Sequence, residues 1–106
     1  MTVGKVNAMK ISINDSMLIR EEVVFRELGG EAMLLNLKTG AYFGLDPVGT
    51  RAWQLLAEQG SVAQVMEVML GEYDIDRERL ERDLLELCGQ LCTTGLGELV
   101  PSVPSP

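Results

Sequence analysis

Two thiols, Cys88 and Cys92, are the strongest nucleophiles in this 106-residue chain, and the chain holds no histidine to activate them. Without imidazole, neither a Ser/His/Asp nor a Cys/His triad can be assembled, and His-based zinc sites are excluded. The two cysteines lie four apart inside a predicted helix, so their Cβ atoms stack on one face. A separation of about 6 Å between Cα atoms with parallel Cβ vectors suits a disulfide poorly. Two thiols alone are also too few for a metal centre. They read as small apolar side chains of a helix interior. Glu72 and Asp74-Ile75-Asp76 have the flavour of a calcium loop, but the glycine and the late glutamate of such a loop are not at the required spacing. Helix capping and a solvated acidic face explain them better. Glu21-Glu22 adjoin a strand and should face solvent. The glycines match neither a Walker A loop nor a dinucleotide fingerprint. No enzyme activity, cofactor or metal is expected.

The elements around these residues follow from composition and periodicity. Hydrophobic residues make up 46% and charged residues 24% of the chain, which favours a folded domain over disorder. No apolar run reaches the roughly 18 residues of a membrane span, and no secretory signal opens the chain. A cytoplasmic protein is expected. Acidic residues outnumber basic ones 16 to 9, for a net charge of −7, which disfavours nucleic acid and favours partners carrying positive charge.

Three apolar segments come first. Val23-Val24-Phe25-Arg26-Glu27-Leu28, Ala32-Met33-Leu34-Leu35-Asn36-Leu37 and Ala41-Tyr42-Phe43-Gly44-Leu45 read as an antiparallel meander. Its turns, Gly29-Gly30 and Lys38-Thr39-Gly40, supply the positive φ of tight hairpins. The third strand ends the meander with an unpaired edge, which is a hazard or a docking site. Ile11 and Ile13 alternate with Lys10 and Ser12, so a short lead-in strand is expected there. Asp46 caps a first helix with Pro47 at its first position, Gly60 ends it, and Trp53, Leu55 and Leu56 should serve the core. Ser61 and Gln64 form a capping-box pattern for a second helix. A third helix runs from about Arg77 to Thr94 and stops at Gly95. Its stripe Leu80, Leu84, Leu87 and Leu91, widened by Leu85, Cys88 and Cys92, spans roughly 160° at about 100° per residue. The excess over a one-sided face either sinks deeper into the core or lines a groove. The expected organisation is a mobile lead-in over 1–16, a domain over 17–100 and an extended Pro/Ser tail over 101–106.

The run from Leu34 through Tyr42-Phe43-Gly44-Leu45-Asp46-Pro47-Val48-Gly49-Thr50-Arg51-Ala52-Trp53 resembles the PqqD-like family, named after pyrroloquinoline quinone biosynthesis protein D. The likeness continues through Ser61-Val62, Tyr73-Asp74-Ile75-Asp76, Asp83-Leu84 and Gly95-Leu96, covering roughly residues 20–100. It implies an α+β, winged-helix-like fold, with a three-stranded antiparallel sheet followed by three helices. It also implies a non-catalytic recognition element for ribosomally made, post-translationally modified peptides. The leader of a precursor peptide would add as an antiparallel strand to the third strand and lie against the third helix. It would then be presented to a processing enzyme.

Carried onto this chain, the strand side of that groove is Ala41, Tyr42, Phe43, Gly44 and Leu45, and the helix side is Leu84, Leu87, Cys88 and Leu91. Alternation puts Tyr42 and Gly44 on one face and Ala41, Phe43 and Leu45 on the other. A proline at Phe43 would remove a ladder donor if that N–H faces the peptide. The stretch Leu45 to Trp53 is more similar to stand-alone relatives of lasso-peptide clusters, where the partner is a leader peptidase. In pyrroloquinoline quinone biosynthesis the partner is instead a radical S-adenosylmethionine enzyme. The competing readings are a winged-helix DNA-binding regulator, which the acids Glu78, Glu81, Asp83 and Glu86 disfavour, and a homodimer closed over the third strand's edge, against a monomer awaiting peptide.

Overall fold

The computed structural model describes residues 11–100. The meander is present as β2 (Val23–Leu28), β3 (Glu31–Asn36) and β4 (Tyr42–Leu45), an antiparallel sheet in the order β2-β3-β4. Three helices follow: α1 (Pro47–Gln59), α2 (Val62–Glu72) and α3 (Arg77–Thr93). A second, two-stranded sheet was not anticipated. β1 (Ser16–Ile19) pairs antiparallel with β5 (Gly97–Val100), so the lead-in strand starts at Ser16. Residues 12–15 turn instead, because the Asp15 carboxylate accepts the Ser12 N–H at 2.8 Å and the Asp15 N–H returns to the Ser12 carbonyl at 2.9 Å. Ile11 and Ile13 pack half-buried against the core rather than forming a strand. Residues 1–10 and the Pro/Ser tail over 101–106 lie outside the described residues.

Helix boundaries obey local chemistry. Asp46, Ser61 and Asp76 each accept an N–H from the first turn of the helix they precede, at 2.7, 3.3 and 3.3 Å. Gly60, at φ 78°, closes α1 by donating to the Leu56 carbonyl. An Arg51–Glu72 pair, with both guanidinium prongs engaged at 2.8 and 2.6 Å, ties α1 to α2 across their solvent side. None of these helices is long and apolar enough to cross a membrane, among the described residues.

The sheet lays one face on the helices. Leu34 of β3 is fully buried, and the Phe25 ring of β2 stacks on Trp53 of α1 with centroids 6.4 Å apart. Trp53, Leu55 and Leu56 are core residues, as their spacing predicted. The other face carries Val24, Arg26 and Leu28 of β2, Met33 and Leu35 of β3, and Tyr42 and Gly44 of β4, as register and strand alternation require.

One buried polar side chain joins the meander to the end of α3. Asn36 uses its carbonyl oxygen to accept the N–H groups of Lys38 and Thr39 at 2.8 and 3.1 Å, which shapes the β3–β4 turn. Its amide nitrogen donates to the Gly95 carbonyl at 2.8 Å, just beyond α3. Replacing Asn36 by alanine removes three hydrogen bonds and empties a site only 2% exposed. The cost of such a change is about 2–3 kcal/mol. Urea denaturation of Asn36→Ala should show this loss with an unchanged slope.

Candidate functional site

The hairpin turns decide which backbone groups β4 offers to the outside. Gly29 and Gly30, at φ 65° and 88°, form a two-residue turn that makes Leu28 and Glu31 a hydrogen-bonded pair. Antiparallel alternation then directs Met33 and Leu35 toward β2, and Ala32, Leu34 and Asn36 toward β4. The far end gives the same phase. The Asn36 N–H donates to the Ala41 carbonyl, and the Gly40 N–H donates to the Asn36 carbonyl, both at 2.8 Å. With Gly40 at φ 82° this is a one-residue bulge. Phe43 and Leu45 therefore spend their backbone groups on β3. Tyr42 and Gly44 point theirs away from it, and among the described residues β4 has no strand on that side. The sequence-based condition on Phe43 is thus not met: its N–H belongs to the native sheet.

The open edge of β4 overlooks a cleft. β4 packs mainly on β3 and α1, and between it and α3 lies a depression of about 530 Å³. Phe43, Gly44 and Leu45 line it from the strand, Val48, Gly49 and Ala52 from α1, and Ile75 with Leu80, Leu84 and Leu87 from the approach to α3 and its inner side. A second depression, of about 560 Å³, shares Phe43, Glu86 and Gln90 with the first and continues past Ile11, Leu85 and Thr93. Together they form a trough running beside α3, with an apolar floor. Its helix rim is a polar row, Arg79, Asp83, Glu86 and Gln90, at helical spacing. Arg79 and Asp83 approach at 3.9 Å, while Glu86 makes no ion pair among the described residues. The rim is acidic on balance, in keeping with the charge of the whole chain.

Of the residues expected at the groove, Phe43, Gly44, Leu45, Leu84 and Leu87 come together on its walls. Ala41 and Tyr42 stand at the start of the strand outside the lining, and the Tyr42 ring turns to the opposite face, 69% exposed. Cys88 and Leu91 are fully buried and do not line either depression. They belong to the layer behind the wall, because their sector of the α3 arc faces the core. The polar row on the α3 rim had a signal in its i, i+4, i+7, i+11 spacing that the apolar stripe overshadowed.

Both cysteines are free. Burial pushes the Cys88 thiol up to about 12, with the neighbouring Cys92 adding to the rise. The Cys92 thiol is also raised by burial, less completely. Neither is a poised nucleophile. Among the described residues no group of three or more acidic or thiol side chains could hold a metal ion.

What the geometry defines is an α+β domain in which the unpaired edge of β4 lies above an apolar, acid-rimmed trough, a form suited to holding an extended chain. Residues 31–96 match the family described as "Coenzyme PQQ synthesis protein D (PqqD)", and the chain belongs to that family. Two solved structures share its fold. "TbiB1 in Complex with the TbiA(beta) Leader Peptide" is 36% identical with a TM-score of 0.71, covering 83% of this chain and 99% of that one. "Lasso peptide synthetase B1 complexed with the leader peptide" is 25% identical with a TM-score of 0.69, covering 78% and 98%. No match was found among curated proteins.

The raised Cys88 thiol carries a pH consequence. A thiol held neutral by the fold stabilises it below the unfolded value of 9.0, and that contribution fades as pH climbs toward about 12. Melting temperatures measured from pH 8 to 11 should fall for the wild type, and Cys88→Ala should flatten part of that decline.

Proposed function

We infer that this protein captures the leader of a ribosomally synthesised precursor peptide and presents it to the enzyme that processes it, without itself catalysing a reaction. The observation that carries this reading is the outward-facing backbone of Tyr42 and Gly44 beside the trough, in a chain similar to two solved structures that are leader-peptide complexes. A leader laid along β4 extends the sheet to four strands. Its backbone meets two N–H donors and two carbonyl acceptors, each net hydrogen bond contributing about 1 kcal/mol. Side chains of the leader that face the helices enter the trough against Phe43, Leu45, Leu84 and Leu87. Apolar burial there adds to affinity at about 25 cal/mol per Å².

The relatives favour a lasso-type pathway, in which the enzyme served is a leader peptidase. The acidic rim favours a leader bearing lysine or arginine on that side, an attraction that weakens as salt shortens the reach of surface charge. Recognition rests on backbone pairing and apolar contact.

The test is a titration of isotope-labelled protein with a synthetic leader of the precursor encoded beside it, paired with two proline variants. Saturable NMR shifts should concentrate in residues 41–45 and along 79–90. Tyr42→Pro removes an outward donor on an edge strand, where proline is tolerated, so it should keep its melting temperature and bind about tenfold more weakly. Phe43→Pro deletes a bond of the native sheet and should melt well below the wild type. Shifts confined to other surfaces, or full affinity in folded Tyr42→Pro, would refute strand addition at β4. Mass in solution, measured on the same sample, tells a silent titration caused by a homodimer closed over β4 from a failure of the peptide reading.

A further inference from the structure

Gly44 is a glycine the fold does not need. It sits inside β4 without a positive φ, and a Cβ built on it meets nothing within 4 Å. Glycine in a strand interior weakens the strand, because it contributes no packing and carries extra backbone entropy. A valine or threonine there would suit the extended backbone better. The missing side chain therefore has no beneficiary among the described residues.

Its surroundings point to what would use the space. Gly44 lies on the sheet face that turns away from the helices, where its register partner on β3 is Met33 and its neighbour two residues back is Tyr42. Both are large, apolar and open to solvent, Met33 at 46% and Tyr42 at 69%. Bare backbone flanked by two exposed apolar side chains makes a shallow seat beside the open edge. A strand added antiparallel to β4 forms a hydrogen-bonded pair with Gly44, since both polar groups of Gly44 face outward. The side chain of that peptide residue then emerges on the same face as Gly44, with its Cα about 5.5 Å away. Glycine lets this side chain fold back over β4 instead of standing beside a Cβ.

We propose that Gly44 is a specificity-determining residue of the peptide site, opening a second subsite on the outer face of the sheet for a large apolar side chain of the leader, with Tyr42 and Met33 as its walls. The bound peptide is thus read on both faces: into the trough by one set of alternate residues and over Gly44 by the other. This rests on strand addition at β4, and the experiment separates the two ideas.

Gly44→Ala and Gly44→Val are compared with the wild type by thermal melting and by calorimetric titration with the same synthetic leader, and with a set of leaders carrying single alanine substitutions. Both variants should melt at the wild-type temperature or above. Affinity should drop severalfold for alanine and at least tenfold for valine. One alanine-substituted leader should bind wild type and Gly44→Val equally, which identifies the residue seated over Gly44. Wild-type affinity in Gly44→Val overturns the subsite while leaving capture at β4 intact. A lowered melting temperature in both variants overturns it as well, because glycine would then serve the fold. Absence of saturable shifts over residues 41–45 in the wild type overturns both readings.

Discussion

The hydrogen bonds of Asn36 hold together the two halves on which the candidate site depends. One end of the carboxamide organises the β3–β4 turn, and the other grips the Gly95 carbonyl beyond α3. Through its backbone the same residue also fixes the bulge that sets the phase of β4. A strand held only by β3 could tilt, and the width of the trough would drift with it. By tying the hairpin to the end of the helix, Asn36 adds to the packing of β4 on α1 in fixing the separation between β4 and α3. Buried polar groups are costly unless satisfied, and here satisfaction and positioning are the same set of bonds.

An open strand edge ordinarily invites aggregation. β4 limits that hazard by length, offering only two residues with outward-facing backbone. Its flanks narrow the choice further: the bulge at Gly40 and Ala41 ends it on one side, and the Asp46 cap turns the chain into α1 on the other. A partner must match a short window and also fill the trough, so backbone affinity and side-chain selection come from adjoining surfaces. That combination discriminates against chance strands without closing the edge.

Much of this was legible in the residues. Asp46-Pro47, Ser61 with Gln64, and Asp76 announce three helices because capping is local chemistry, and Gly29-Gly30 and Gly40 announce the hairpins for the same reason. The polarity of β4 was legible too, since a two-residue turn at Gly29-Gly30 already fixes which residues bond to which neighbour, and it assigns the Phe43 N–H to β3. The β1–β5 sheet was not legible. Its strands are four residues each, they join segments about eighty residues apart in the sequence, and neither carries a strong alternation. The division of the α3 arc was hidden for a different reason. A wide apolar face shows that two surfaces are served but not which sector serves which. Cys88 and Leu91 went to the core and Leu84 and Leu87 to the boundary because of where β4 and α1 lie, which is tertiary information.

The pairing of β1 with β5 also binds the first and last elements of the fold to each other. Ser16 and Val100 are register partners, one strand spacing apart, about 5 Å. These two strands form a sheet of their own, so the clasp that closes the fold adds no strand to the open edge of β4.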